Sequence, residues 1–318
     1  MPIGLGYNTW VGIGEETTYG QAGSITKYVE LNSGGDGITL SEDRIENASV
    51  YGIYRPYTKT IQGNISVSGS LTFDMRYEGF EKFLLVAFGT CTTTSLGSGA
   101  YQHKFTIADQ LTKSLTLQIN KDLYAFNYLG MMINSLEFKV ASGGFLTLTV
   151  NFVGKDVGTA TAGTPTFPTA PFVIFSDGAI TYNSVSKNIK ELTISINNNL
   201  LTDRRFIGSR TIAQPLRGGK VEVTGSFSVE FESLNEYNDF RNATVRSLVA
   251  TFTSPTTIGT STIPFTLELK CNSIRLTSGF PKVENEGIIK VDCPFKAYAT
   301  SGTQRELEVT LKNSLSSI

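Results

Sequence analysis

Gly63-Asn-Ile-Ser-Val-Ser-Gly-Ser-Leu-Thr-Phe-Asp74 decides the fold class. Ile65, Val67, Leu71 and Phe73 fall on one side of an extended chain, and Asn64, Ser66, Ser68, Ser70, Thr72 and Asp74 fall on the other. Successive strand residues point to opposite faces, so this pattern predicts a strand with one core face and one wet face. Gly69 stands on the apolar side, where a missing side chain marks a bulge or a close backbone approach. Downstream, residues 77–89 change period: Phe80, Phe83, Leu84, Ala87 and Phe88 follow helical spacing, and Gly89 can end the helix. Alternating runs at 115–120, 136–140 and 144–153 extend the reading to an all-β chain with one short helix per unit.

The unit recurs. Gly219-Lys-Val-Glu-Val-Thr-Gly-Ser-Phe-Ser-Val-Glu230 matches the first stretch without gaps, 156 residues on, and keeps both glycines, the central Val and the Ser after the second Gly. Leu234, Tyr237 and Phe240 then stand at helical spacing, where the first copy places its helix. Gly144-Phe-Leu-Thr-Leu-Thr-Val-Asn-Phe152 finds its counterpart in Gly287-Ile-Ile-Lys-Val-Asp-Cys-Pro-Phe295, 143 residues on. Three landmarks in one order predict an internal duplication. The Gly, Ala, Thr and Pro content of 157–171 marks a linker between two domains. The expected plan is an N-terminal arm (1–30), a first β domain (31–156), that linker, and a second β domain with a C-terminal strand (172–318).

A long polar and aromatic segment precedes each marked strand. Residues 37–62 carry Asp43, Arg44, Tyr51, Tyr54, Arg55 and Tyr57; residues 197–218 carry Asp203, Arg204, Arg205, Phe206 and Arg210. Long stretches without secondary structure are usually functional or disordered, and Tyr and Arg favour an ordered protein contact. The alternative is a twisted hairpin packed on its own domain.

Composition excludes most chemistry. The 318 residues hold 27 Lys+Arg against 28 Asp+Glu, for a formal charge of −1, which removes a general attraction to nucleic-acid phosphates or an anionic membrane. His103 is the single histidine, so no His-rich metal site is available, and its alternating setting reads as a surface or satisfied structural residue. Cys91, Cys271 and Cys293 lack ligand spacing, and Cys293 alternates with Val291 and Phe295 as a small buried hydrophobe. Gly12-Ile-Gly-Glu-Glu-Thr-Thr-Tyr-Gly20 does not have phosphate-loop spacing, and its two acids would repel phosphate. No apolar run approaches the ~18 residues of a membrane span, and Met1-Pro-Ile-Gly-Leu-Gly6 is unlike a signal peptide. The expectation is a soluble, non-catalytic protein with no cofactor, no metal and no membrane binding.

Trp10-Val-Gly-Ile-Gly-Glu-Glu-Thr-Thr-Tyr-Gly20, the long loop, the Gly-x-Ile-x-Val-x-Gly-Ser strand and the short helix resemble the major tail tube proteins of long-tailed, siphovirus-type bacteriophages. The resemblance implies β-sandwich or barrel-like domains whose inner strands join into one barrel around a lumen, in rings that stack into a tube. It further implies a structural role in the virion tail, assembly in the host cytoplasm, and tape-measure, baseplate or tip, and terminator proteins as partners. DNA would pass without sequence-specific contact. Joined to the duplication, it implies rings of three chains with pseudo-sixfold geometry.

On this reading Asn64, Ser66, Ser68, Ser70, Thr72, Asp74, Lys220, Glu222, Thr224, Ser226, Ser228 and Glu230 face the lumen, unless helix packing covers that side. Contacts between rings or subunits fall to Trp10, Tyr19, Asp43, Arg44, Tyr51, Tyr54, Arg55, Tyr57, Asp203, Arg204, Arg205, Phe206 and Arg210, and to the C-terminal strand 306–312. The other class consistent with these residues is a tandem β-sandwich binding module of a virion, such as a decoration, baseplate or adhesin protein.

Overall fold

The computed structural model describes residues 3–46, 60–283, 286–300 and 304–318. In the first half the strands are β1 (Thr9–Glu15), β2 (Lys27–Glu30), β3 (Thr39–Glu46) and β4 (Thr60–Asp74). Helix α1 (Glu81–Phe88) follows, then β5 (Gly89–Gly97), β6 (Ala100–Ile107), β7 (Leu115–Lys121), β8 (Ala125–Ala141), β9 (Thr147–Gly154) and β10 (Asp156–Ala160). The second half has β11 (Gly178–Tyr182), β12 (Val185–Ser186), β13 (Ile189–Asn197), β14 (Glu222–Glu230) and helix α2 (Asn235–Arg241). It ends with β15 (Arg246–Thr257), β16 (Pro264–Leu276), β17 (Lys290–Ala297) and β18 (Glu308–Asn313). The fold is all-β, and all its named strand pairs are antiparallel.

The alternation in β4 does what its residues dictate. Val67, Leu71 and Phe73 are buried, and Ile65 is half-buried near the end of the core. Gly69 (φ +150°) is a close-approach site: a Cβ there would lie 2.1 Å from the Gly37 carbonyl oxygen. Eight residues make a marginal helix in isolation. Helix α1 is held by burial, with the Phe83 ring 5.5 Å from Phe73 and 5.7 Å from Phe152, and it stops at left-handed Gly89, whose N–H bonds to Leu85 O.

Two sheets enclose the core. The inner sheet runs β3-β4-β9-β8-β13-β14-β17 and ends on the C-terminal residues of β16. The outer layer has β2-β1-β7-β8-β10 in the first half and β12-β11-β15-β16-β18-β6-β5 across the second. Strands β8 and β16 are long enough to pass from one layer to the other. The main buried apolar cluster draws on both halves and is continuous between them.

The halves follow one plan. Ser70 pairs with Asn151 and Ser226 with Pro294, so the strands carrying the two sequence landmarks meet in the same register. Thr39 pairs with Ser68 as Ser195 pairs with Thr224. Even a bulge recurs, between Leu115 and Leu117 opposite β8 and between Arg246 and Leu248 opposite β16. The β5–β6 hairpin has no equivalent in the second half, where α2 leads directly to β15.

Some local expectations shift. Residues 39–46 and 60–62, read as loop, are strand: Ile45 pairs with Ile61 and Glu46 with Thr60. A bulge between Glu42 and Arg44 breaks the alternation that would have revealed them. Tyr51, Tyr54, Arg55 and Tyr57 lie outside the described residues. Residues 157–160, the start of the expected linker, lie within β10. The C-terminal strand is not a free arm, because β18 lies between β16 and β6.

Candidate functional site: a polar face shared by both halves

The side of the inner sheet away from α1 is polar, and its residues line up in rows across both halves. Thr72, Thr149, Glu137, Ser195, Thr224 and Lys296 are successive cross-strand partners. Asp74, Thr147, Lys139, Thr193, Ser226 and Pro294 form the next row. Directly opposed side chains share a face, so each row is one strip of wall. The joint that makes the rows continuous is β8·β13, where Ser135–Ala141 pair with Asn197–Glu191.

Asn64, Ser68, Lys220, Glu222 and Thr224 are exposed; Ser66, Ser70, Thr72, Asp74, Ser226, Ser228 and Glu230 are half-buried. Lys220 precedes β14 rather than lying within it. The Thr72 and Thr149 hydroxyls meet at 3.4 Å, and Asn32 Nδ2 donates to Asp74 Oδ1 at 3.0 Å. Two acids on this side pair with lysines, Glu222 with Lys296 (2.8 Å) and Glu230 with Lys190 (2.6 Å). The face is hydroxyl-rich and carries charges of both signs, some of them paired. Solvent and salt screen such exposed pairs, so they stabilise little and leave no strong field.

The residues proposed for contacts separate into two groups. Trp10 is buried edge-on against Tyr28, and the Tyr19 ring packs beside Gly130 under Lys155. Arg205 donates to Ser66 Oγ (2.8 Å) and to Arg210 O (3.0 Å). Arg210 donates to Gly63 O (2.8 Å) and Gln62 Oε1 (3.0 Å) and pairs with Glu42. Arg204 donates to Gln214 O. The second-half loop is thus laid over β3 and β4 of the first half, which leaves Asp203, Phe206 and Ile207 exposed at its tip. Asp43 is exposed, and Arg44 pairs with Glu42 (3.3 Å) rather than with its neighbour.

Two residues carrying no sequence signal pin the joint. Asn198 is fully buried; its Nδ2 donates to Ala87 O and Ile133 O at 3.0 Å each, and its Oδ1 accepts from Arg217 Nη2 at 2.6 Å. Arg217 also donates to Ala108 O, so the second half is tied to α1 and to the strands around it.

Groups with chemical potential elsewhere are bound into the fold. His103 is buried; Nδ1 meets Thr93 Oγ1 (2.9 Å), and Nε2 meets Asn313 Oδ1 (3.0 Å) and Leu315 O (2.9 Å). Burial pushes its pKa down, and the neutral ring with hydrogen on Nε2 satisfies this set. Asn313 Nδ2 donates onward to Glu81 Oε1 (2.7 Å). Glu16 accepts from Gly20 N, Ser114 Oγ, Thr116 Oγ1 and Gly130 N, so the glycine-rich turn folds around its own carboxylate. Cys271 and Cys293 are buried thiols pushed up to about 12 by desolvation. Among the described residues, no three His, Cys, Asp or Glu side chains cluster as metal ligands, and no helix is long and apolar enough to cross a membrane.

A family model described as phage tail tube protein matches residues 6–297. The chain belongs to that family. The match spans both halves, including the inner sheet and its polar face. No curated protein matches the chain. Membership makes it a structural tail tube protein, with its place in the virion tail and its assembly into a tube with other tail proteins following from the family. A tail tube protein needs a surface that meets its own copies and a surface that faces the channel. The open sheet edges and the polar face are the candidates for those two roles.

Proposed function

We propose that this tail tube protein is internally duplicated and that three copies close into a ring around a channel that DNA crosses during ejection. The observation that carries this reading is β8·β13. One half's inner sheet ends on β8, the other's begins on β13, and the chain joins them by strand pairing. Repeating that joint between chains extends the sheet by two units per copy. An open sheet leaves edges that recruit further strands without limit, and a closed cyclic arrangement removes them.

The polar rows would then line the lumen, because the opposite side of the sheet is filled by α1 and the shared core. A wall of hydroxyls with acids and lysines interspersed offers phosphate no cationic cluster and releases few counterions, so a duplex passes without being held. The tip of the 197–218 loop and the first-half loop would meet the next ring. Tape-measure, tip and terminator proteins would occupy the tube's interior and ends.

Negative-stain imaging of purified protein, with mass measurement of isolated rings, tests the proposal. Pored rings of three chains, stacking into tubes, are expected. Rings of six chains would overturn the stoichiometry. Monomers under all assembly conditions would overturn the closure of this chain into rings.

A further inference from the structure

The two ends of the inner sheet correspond to the two sides of the joint already made inside the chain. β13 of the joint corresponds to residues 33–41, because Ser195 and Thr39 hold the same place beside Thr224 and Ser68. The β8 side corresponds to 278–283, because the isolated bridge Lys282↔Lys290 sits where Lys139↔Thr147 sits in the first half. Among the described residues, β3 is paired only with β4, and the backbone bridge made by 278–283 is to β17, with α2 packed beside Gly279 and Phe280.

Burial differs as an absent neighbour requires. Ile196 is fully buried under β8, whereas Leu40 at the equivalent place is 53% exposed. Val140 is buried beside β13, and its counterpart Val283 is 75% exposed. Phe280 is 60% exposed on the same edge and leans on Tyr237, at 6.0 Å between rings. Leu40 and Val283 are thus apolar side chains exposed on the two edges where the internal joint buries their counterparts, while Phe280 stands at the place of Glu137 in the polar row.

We propose that residues 36–41 of one chain pair antiparallel with residues 278–283 of a second copy, with Thr39 opposite Phe280 and Ser41 opposite Ser278. This rests on the ring reading above and specifies its contact. In the internal joint Ser142 N donates to Lys190 O and Asn198 N to Asn134 O, which places hydrogen bonding at the even-numbered β8 positions. Glu137↔Ser195 and Ser135↔Asn197 are therefore the closely spaced, non-hydrogen-bonded pairs. Their equivalents between chains are Phe280↔Thr39 and Ser278↔Ser41. Leu40 faces Gly279 and Ile38 faces Pro281. The Ile38 N–H, held by Asp36 Oδ1 at 3.2 Å in the single chain, transfers to the Pro281 carbonyl. Proline at this edge lacks the donor for a full ladder, which discourages pairing in other registers. The occupant is a second copy because the joint it completes is this chain's own.

The test uses the full-length chain with Cys91→Ser, assembled into tubes. Ser41→Cys with Ser278→Cys should oxidise to disulfide-linked trimers, since such pairs stand about 4.5 Å apart at Cα and within disulfide reach. Ser41→Cys with Phe280→Cys, two residues out of register, should give at most about a tenth of that product, because its diagonal neighbours are roughly 7–8 Å apart. Equal or greater linking by the shifted pair, or none by either pair in intact tubes, overturns the register and leaves the tube reading standing. If the parent protein forms no rings, the ring reading itself falls. If the cysteines block assembly, Leu40→Lys and Val283→Lys are read instead; each should give a folded chain that forms no rings, and normal rings from either overturn the proposal.

Discussion

Phe138 of β8 stands directly opposite Ile194 of β13, and both side chains are buried in one core. The two halves therefore share hydrophobic contacts as well as a hydrogen-bond ladder. Phe138→Ala should cost about 3–5 kcal/mol by the usual scale for buried aromatic truncation. Because the core is continuous, both halves should lose stability together. Trp10 fluorescence, reporting on the first half, and far-ultraviolet circular dichroism, reporting on all strands, should move to the same lower urea midpoint. Separate transitions would show that the halves fold independently.

Gly69 and Gly225 occupy equivalent places in β4 and β14, and neither has room for a methyl group. A Cβ on Gly225 would lie 2.4 Å from both Phe295 Cζ and Thr193 O, and one on Gly69 would lie 2.1 Å from Gly37 O. Gly225→Ala and Gly69→Ala should each destabilise by about 1–3 kcal/mol, the common cost of overpacking. Gly158→Ala, which meets nothing within 4 Å, is the control and should lie within about 0.5 kcal/mol of the parent. Thermal melts of the three variants decide this.

Glu81 is fully buried, and desolvation raises its carboxyl to about 7 from 4.5. Between those values the folded chain holds a proton that the unfolded chain has released, so stability falls as pH rises. This group's contribution is complete below about pH 4.5 and is lost through pH 7, amounting to about 3 kcal/mol from the linkage of 1.36 kcal/mol per pKa unit. Urea midpoints at pH 4–8 should fall more steeply with pH for the parent than for Glu81→Gln. Parallel slopes would contradict the assignment.

Arg210 holds the 197–218 loop on β3 and β4 through Gly63 O, Gln62 and Glu42. Its side chain is partly exposed, so Arg210→Ala should change global stability by no more than about 1 kcal/mol. Release of the loop is a local event and should appear as faster chymotryptic cleavage after exposed Phe206, by roughly tenfold if opening becomes easier by ~1.4 kcal/mol. Unchanged cleavage would mean that the loop is held by other contacts.

Ser68 is exposed on the polar face. In a Cys91→Ser background, Ser68→Cys should react with a bulky maleimide several-fold more slowly in intact tubes than in dissociated subunits, since its only access would be through the channel. Equal rates would move Ser68 to the tube's outside.

Much of this structure is written in local periods. Val67, Leu71 and Phe73 are buried where alternation places them, and α1 begins and ends within a few residues of the apolar repeat that announces it. Residues 39–46 escaped that reading because the Glu42/Arg44 bulge interrupts the alternation and Leu40 and Ile45 lie exposed. Asn198 and Arg217 escaped it for a different reason: their partners Ala87, Ala108 and Ile133 are backbone carbonyls remote in sequence, which no side-chain pattern encodes.

Local residue patterns are enough to read an all-β chain, the apolar face of its marked strand, and a strand–helix pattern that occurs twice. Each of these follows from the identity of near neighbours, since the two-residue period of a strand and the 3.6-residue period of a helix are local properties. That β8 meets β13, that β18 lies between β16 and β6, and that the polar rows run across both halves emerge from the folded chain alone. Strand pairing uses backbone groups that every residue carries, so the choice of partner and register is made by the packing of the whole core.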